Sequence, residues 1–135
     1  MDTNVLVAGA CRREASFPYK VLTGVLREEI PLMLTVPIAL EYLEVLQRRP
    51  VMELTGLTHS QAEDLVSELI ALSHRLQIHF SWRPNLSDES DNKFVEAAIH
   101  GGAVIVSYNV NDFSSGDLAV HGWQVMTPRE FLARV

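Results

Sequence analysis

Ala103-Val104-Ile105-Val106 is the stretch of sequence that decides the fold. Four consecutive apolar residues, three of them β-branched, are typical of a short strand that is buried within a sheet. A helix is predicted directly before this strand, over residues 88–100, and Gly101-Gly102 supply the left-handed backbone that ends it. A helix that leads into a buried strand is the repeating unit of a parallel sheet.

The same alternation of helices and strands runs through the rest of the chain. Thr58 with Gln61, and Thr127 with Glu130, have the spacing of a capping box at a helix start. The pattern therefore predicts an α/β fold with a central parallel sheet and helices on both faces. The other predicted helices cover residues 17–28, 37–48, 58–76 and 127 onward, and the other predicted strands cover residues 32–36, 77–81 and 123–126.

Size and composition indicate one globular domain over residues 1–135. The single cysteine, Cys11, excludes a disulfide framework and favours an intracellular, cytoplasmic location. No apolar run approaches the ~20 residues that a membrane helix needs, so no membrane association is expected. No secretion signal precedes Asp2.

The net charge of −6 argues against a protein that coats nucleic acid, because such proteins are usually basic. It argues less against a nuclease, whose metal ligands are themselves acidic. Arg12-Arg13 and Arg48-Arg49 are candidates for a local basic rim that contacts phosphate, and ordinary surface arginines remain the alternative.

Acidic residues occur in four separate parts of the chain: Asp2, the pair Glu41 and Glu44, the cluster at residues 88–91, and Asp112. Asp112 follows the strand over residues 103–106, at the sheet edge where ligands of parallel sheets bind. Carboxylates from several elements can converge on one hard divalent cation. The spacing thus predicts a metal-dependent enzyme.

Each acid also has a simpler explanation. Glu44 precedes Arg48 by four residues, so a surface ion pair accounts for it. Glu41 has no basic residue three or four positions later, which favours a functional role. Asp91 could complement a helix start, Asp112 could be a turn residue, and Asp2 could be a solvated terminal residue.

Other chemistries find little support in the sequence. The five histidines lack zinc-binding spacing, and there is no glycine-rich phosphate loop. Ser107 lies beside the predicted site, but no histidine is placed to activate it. A phosphatase-like domain with a nucleophilic aspartate needs a lysine near the last strands, whereas the two lysines are Lys20 and Lys93.

The ordered set of motifs resembles the PIN-domain family, and particularly its VapC-like toxin branch. This resemblance implies a small α/β fold and a metal-dependent endoribonuclease whose four catalytic acids match Asp2, Glu41, Asp91 and Asp112. The segments that carry the resemblance are residues 2–7, 37–50, 88–98, 104–113 and 127–131.

The resemblance also implies a role for each matched residue. Asp2, Asp91 and Asp112 are expected to bind Mg²⁺, with Mn²⁺ as a substitute; Asp2 and Asp91 are the primary ligands. Glu41 and Asp112 are expected to hold a second ion or orient a water. Asp112 is chosen as the fourth acid because residues 109–113 fit the Asn-x-x-Asp-Phe subgroup. The supporting residues are expected to be Asn4, Glu44, Ser107 and Asn109.

The partners implied by the resemblance are an RNA substrate and an antitoxin protein that blocks the cleft. The family normally has an apolar strand that ends at the first aspartate, but only Met1 precedes Asp2 here. Either the natural chain starts further upstream, or the first strand is truncated, with the sheet open beside Asp2 and residues 5–7 covering the groove. Such an open edge favours association with another chain, which would give a homodimer. The alternative function is a catalytically impaired PIN-like domain that binds RNA or protein.

Overall fold

The structure of the protein is a computed structural model that describes residues 1–75, 94, 98, 103–109 and 124–134. Phe94 and Ala98 are helical, within the predicted helix over residues 88–100. The rest of that helix, the predicted strand over residues 77–81, and Asp112 lie outside the described residues. The described elements are α1 Thr3–Ala10, α2 Phe17–Leu26, β1 Met33–Leu34, α3 Val36–Leu46, α4 Arg49–Thr55, α5 His59–Leu72, β2 His74–Arg75, β3 Val104–Val106, β4 Gln124–Met126 and α6 Pro128–Arg134.

The described strands form two parallel pairs. β1 pairs with β2, with Met33 opposite His74. β3 pairs with β4, with Val104 opposite Gln124. Helices connect β1 to β2, as a parallel pairing requires. The predicted α/β class with parallel strand pairing is confirmed.

Both predicted capping boxes are present. At the start of α5, the N–H of Gln61 donates to the Thr58 hydroxyl and the N–H of Thr58 donates to the Gln61 side chain, at 3.1 and 2.9 Å. Thr127 and Glu130 make the same reciprocal pair at 3.1 and 3.2 Å. These helix starts are specified by residues three positions apart, so the sequence alone predicts them correctly.

The prediction for the end of α5 was wrong. The helix ends at Leu72 and not near residue 76, because Ser73 adopts an extended conformation with φ −81° and ψ 157°. The next residue, His74, donates its N–H to the Leu32 carbonyl at 2.8 Å and begins β2. Pairing with a distant strand therefore replaces the helical continuation that the local pattern favoured.

The expectation that residues 5–7 cover an open groove was also wrong. These residues belong to α1, and Val5 and Leu6 are fully buried in the core. A Cβ on Gly9 of α1 would lie 2.8 Å from the Pro18 carbonyl oxygen at the start of α2. The close approach of α1 to α2 thus depends on the missing side chain at Gly9.

The core fixes the start of α1 against the rest of the domain. Buried side chains from α1, α2, α3 and α5 pack with residues of β1 and β3 in one cluster. None of the described helices is long and apolar enough to span a membrane. Among the described residues, the fully buried side chains of greatest volume are those of Leu6, Ile38, Tyr42, Leu46 and Leu69.

Candidate active site

Asp2 lies beside the carboxyl end of β3. Its backbone N–H donates to the Val106 carbonyl at 2.8 Å, and its own backbone is extended, with φ −67° and ψ 152°. Its Oδ1 accepts from the N–H of Thr3 at 2.7 Å and caps α1. The residue is not a solvated terminus, because only 6% of it is exposed. Strand and helix together fix this carboxylate where parallel sheets bind ligands.

Ser107 orients the Asp2 carboxylate from the opposite side. The serine is fully buried, and its hydroxyl donates to Asp2 Oδ2 at 2.5 Å. Its oxygen accepts from the backbone N–H of Asn109 at 2.9 Å and from the Asn4 side-chain amide at 3.5 Å. Because the only hydroxyl proton is directed at Asp2, Ser107 is placed to orient a carboxylate and not to act as a nucleophile.

Thr3 connects Glu41 of α3 to Asp2. We call the place where Asp2, Thr3, Glu41 and Ser107 meet the Asp2 corner. The Thr3 hydroxyl donates to Glu41 Oε2, across 38 positions in the chain. Glu41 is half-buried, between the exposed Leu40 and the fully buried Tyr42. Two of the four predicted acids are therefore held side by side by Thr3, whose N–H bonds Asp2 and whose hydroxyl bonds Glu41.

The electrostatics of this corner disfavour negative charge. Burial raises the pKa of Asp2, and the nearby Glu41 carboxylate raises it further. The hydrogen bonds from Ser107 and Thr3 and the adjacent terminal ammonium of Met1 lower this pKa, but the raising effects are larger. Burial also raises the pKa of Tyr42, and the charges of Asp2 and Glu41 add to that effect. A carboxylate in this position would be stabilised by a bound cation.

The available donor atoms suit a hard divalent cation. The corner offers carboxylate oxygens from Asp2 and Glu41, with hydroxyl and amide oxygens nearby, and Mg²⁺ prefers such ligands. Each Asp2 oxygen has two lone pairs and accepts one described hydrogen bond, so coordination remains open. Within the described part of the chain, no three His, Cys, Asp or Glu side chains form a metal-binding group. Asp91 and Asp112, the other two predicted ligands, lie outside that part.

Glu44 forms the predicted surface ion pair. Both of its carboxylate oxygens accept from the Arg48 guanidinium, at 2.9–3.0 Å, and both side chains are more than half exposed. Arg49 lies 3.7 Å from Glu53 in a second pair of the same spacing. Arg48 and Arg49 therefore have local acidic partners, which supports the interpretation of this arginine pair as surface residues.

Two residues of the corner were missed by the sequence analysis. Thr3 links Asp2 to Glu41, and the fully buried Tyr42 donates its hydroxyl to the Met1 carbonyl. The sequence does contain a signal for Tyr42. It lies at helical spacing between Ile38 and Leu46, and it is the only one of these three residues with a polar group. Thr3 carries none, since its contact depends on how α1 packs on α3.

Comparison with known proteins decides the family. A family model for the PIN domain matches residues 1–111. The chain belongs to the PIN-domain family. PIN domains are generally nucleases that act on RNA and typically use divalent metal ions. The matched range includes Asp2, Glu41 and Asp91 and ends one residue before Asp112.

The match identifies the family as a whole and does not distinguish a branch within it. No curated protein and no solved structure matches the chain significantly.

Proposed function

We propose that this PIN domain is a metal-dependent endoribonuclease. The observation that carries the proposal is the buried Asp2 carboxylate, held by Ser107 and Thr3 while the Thr3 hydroxyl holds Glu41 beside it. A structural aspartate needs only the N-cap bond to Thr3. The additional serine and the second carboxylate fix two acids in one poorly solvated place, which favours a cation-binding role.

The proposed assignment gives each acid one role. Asp2 and Asp91 are the primary Mg²⁺ or Mn²⁺ ligands, and Asp112 completes the set. When bound, the cation supplies an activated water and neutralises phosphate charge. Ser107 keeps the Asp2 carboxylate in one orientation, with Asn4 and Asn109 fixing the serine. Glu41, which the Thr3 hydroxyl holds beside Asp2, would orient the attacking water.

The biological setting that we propose is a type II toxin–antitoxin pair, with this chain as the cytoplasmic toxin. The support is the order of the VapC-like motifs along the chain. In this setting an antitoxin protein blocks the cleft, and the toxin forms a homodimer.

A second candidate function is a catalytically impaired PIN domain that binds RNA or protein. One observation favours it: among the described strands, β1–β2 and β3–β4 remain separate pairs beside Asp2. A folded wild-type protein that binds RNA but cleaves none with either Mg²⁺ or Mn²⁺ would support this alternative over the nuclease.

Replacing Asp91 tests the nuclease assignment in the part of the site outside the described residues. Asp91→Asn removes one ligand charge at constant size, so Mn²⁺-dependent RNA cleavage should be lost. The melting temperature should hardly move, because an acid in the first turn of a helix contributes only ~0.3–1 kcal/mol. Asp64→Asn, on the exposed face of α5, is the matched control and should cleave normally. Undiminished cleavage by Asp91→Asn would contradict the assignment.

A further inference from the structure

Two cations converge on one aromatic ring at the surface where α2 and α6 pack together. The Lys20 ammonium lies 5.5 Å from the centroid of the Phe17 ring, and the Arg129 guanidinium carbon lies 5.9 Å from the same centroid. Phe17 is 40% exposed, and both cationic residues are exposed. Phe17 and Lys20 belong to the first turn of α2, whereas Arg129 lies at the start of α6. Tertiary packing thus assembles a surface that we call the Phe17 patch, defined by Phe17, Lys20 and Arg129.

The cations of the Phe17 patch have no acidic partner among the described residues. The ion pairs of that part of the chain lie at α3, α4 and α5. Glu130, the neighbour of Arg129, accepts the Thr127 N–H in the capping box instead. The first turn of α2 contains no acidic residue. Positive charge is therefore concentrated at this patch, in a chain whose net charge is −6.

The aromatic ring alone does not explain why both cations lie here. Two like charges around one ring repel each other. The dipole of α2 also disfavours a cation in the first turn, where Lys20 lies. An anion bound beside both cations would compensate the repulsion and the dipole together. Charge complementarity therefore favours a ligand that carries phosphate groups.

The Phe17 patch lies close to the Asp2 corner. β4 ends at Met126, whose carbonyl accepts the N–H of Ser107 at 2.9 Å. Ser107 in turn donates its hydroxyl to Asp2. Arg129 follows Met126 by three residues, which can span at most about 11 Å. A nucleic acid strand bound at the Asp2 corner can therefore reach the patch within a few nucleotides.

We propose that the Phe17 patch is a site for single-stranded RNA, where one unpaired base stacks on Phe17 and flanking phosphates contact Lys20 and Arg129. The inference rests on the proposed nuclease function for the identity of the ligand, and the patch positions the strand beside the Asp2 corner. Stacking needs an accessible base face, which a single strand offers and a duplex does not. Base–aromatic stacking is stronger than an exposed cation–π contact, so a base can replace a cation over the ring while that cation moves to a phosphate.

RNA binding without metal tests the patch separately from cleavage. The probe is a fluorescein-labelled single-stranded RNA of about twelve nucleotides in EDTA, followed by fluorescence anisotropy. The double variant Lys20→Gln, Arg129→Gln should bind more weakly. The slope of log affinity against log salt should become shallower by about 1.4, because each single-strand phosphate contact contributes about 0.7. Arg49→Gln is the matched control and should keep the wild-type slope, because Arg49 is paired with Glu53.

Substitution of the ring separates stacking from charge. Phe17→Leu keeps an apolar side chain but removes the aromatic face, so RNA affinity should fall at least about fivefold. The salt slope should stay unchanged, because stacking involves no counterion release. Phe17→Tyr should restore wild-type affinity. A lower melting temperature of Phe17→Leu with unchanged RNA affinity of the folded protein would show a purely structural role and overturn the proposal.

Kinetics distinguish a failure of this patch from a failure of the nuclease assignment. In Mn²⁺-dependent cleavage the double variant should raise KM by about tenfold or more and leave kcat within about twofold, because the patch binds substrate and transition state equally. If the wild type cleaves RNA while the double variant and Phe17→Leu bind it normally, the patch proposal is wrong and the nuclease function stands. If these variants lose RNA binding although the wild type cleaves nothing, the patch stands without the nuclease.

Two other ligands provide the remaining tests. The duplex form of the same RNA should bind more weakly than the single strand, and equal affinity for both would contradict base stacking. A labelled polyglutamate peptide should bind far more weakly than the RNA. Equal or tighter binding of that peptide, with the same loss in Phe17→Leu, would assign the patch to an acidic protein segment and overturn the RNA assignment.

Discussion

Glu41 and Glu44 lie one helical turn apart on α3, yet their surroundings differ completely. Glu41 is bonded by Thr3 next to the buried Asp2, whereas Glu44 is bonded by Arg48 in solvent. An exposed ion pair contributes at most about 1 kcal/mol to stability. A carboxylate beside a second, buried carboxylate instead raises the electrostatic free energy of the site until a cation or proton compensates. The packing of a neighbouring helix, and not the residue type, therefore separates the glutamate that lies beside Asp2 from the one that is paired in solvent.

The largest expected difference between the two glutamates is in catalysis. Glu41→Gln should lower the rate of Mn²⁺-dependent RNA cleavage by about 100-fold or more, because the variant lacks the carboxylate that we propose to orient the attacking water. Glu44→Gln should stay within about twofold of the wild type, since the hydrogen bonds described for Glu44 all come from Arg48 on the surface of the domain. Initial rates at saturating Mn²⁺ measure this, and equal losses in the two variants would remove the distinction.

A smaller difference is expected in stability, between removal of the buried Tyr42 hydroxyl and removal of the exposed Tyr108 hydroxyl. Tyr42→Phe leaves the Met1 carbonyl without its described donor, so the free energy of unfolding should fall by about 1–2 kcal/mol. Tyr108→Phe is the control, because half of Tyr108 is exposed, and it should change stability by less than about 0.5 kcal/mol. Urea titrations of both variants provide the comparison. Equal effects would show that the Tyr42 bond does not anchor the corner.

The smallest effect is expected for the surface ion pair. A double-mutant cycle of Glu44→Gln and Arg48→Gln should give a coupling energy of about 0.3–0.5 kcal/mol. The coupling should nearly vanish at about 1 M salt, because exposed charges are screened. A coupling above about 1.5 kcal/mol that resists salt would mean that Glu44 is more than a surface residue.

Local features of the fold were predictable from the sequence. The capping boxes at Thr58 and Thr127 and the ion pair of Glu44 with Arg48 involve residues three or four positions apart. Their energetics are set within one helical turn, so the pattern contains the necessary information.

Features that depend on distant contacts were not predictable in the same way. Residues 5–7 are an apolar run with two β-branched valines, which gives no helical signal, and α1 forms because Val5 and Leu6 are buried against α2 and the core. β2 has two residues, and its pairing with β1 is decided across 41 positions in the chain.

In the candidate site, too, local patterns nominate residues but do not give the long-range contacts between them. The resemblance nominated Asp2 and Glu41 as site residues, but it gave no indication that Thr3 would connect them. That bond requires α1 to pack beside α3, which no local pattern encodes. The positions of Asp91 and Asp112 remain predictions.

We infer that Asp2 and Glu41 form half of a cation-binding site and that Glu44 is not part of it. Calorimetric titration with Mn²⁺ tests this most directly, on the wild type, Asp2→Asn and Glu44→Gln, with circular dichroism confirming that each is folded. Asp2→Asn should weaken Mn²⁺ binding by roughly 100-fold or more, because it removes the charge of a proposed primary ligand, and Glu44→Gln should bind like the wild type. Unchanged Mn²⁺ affinity in a folded Asp2→Asn protein would contradict it.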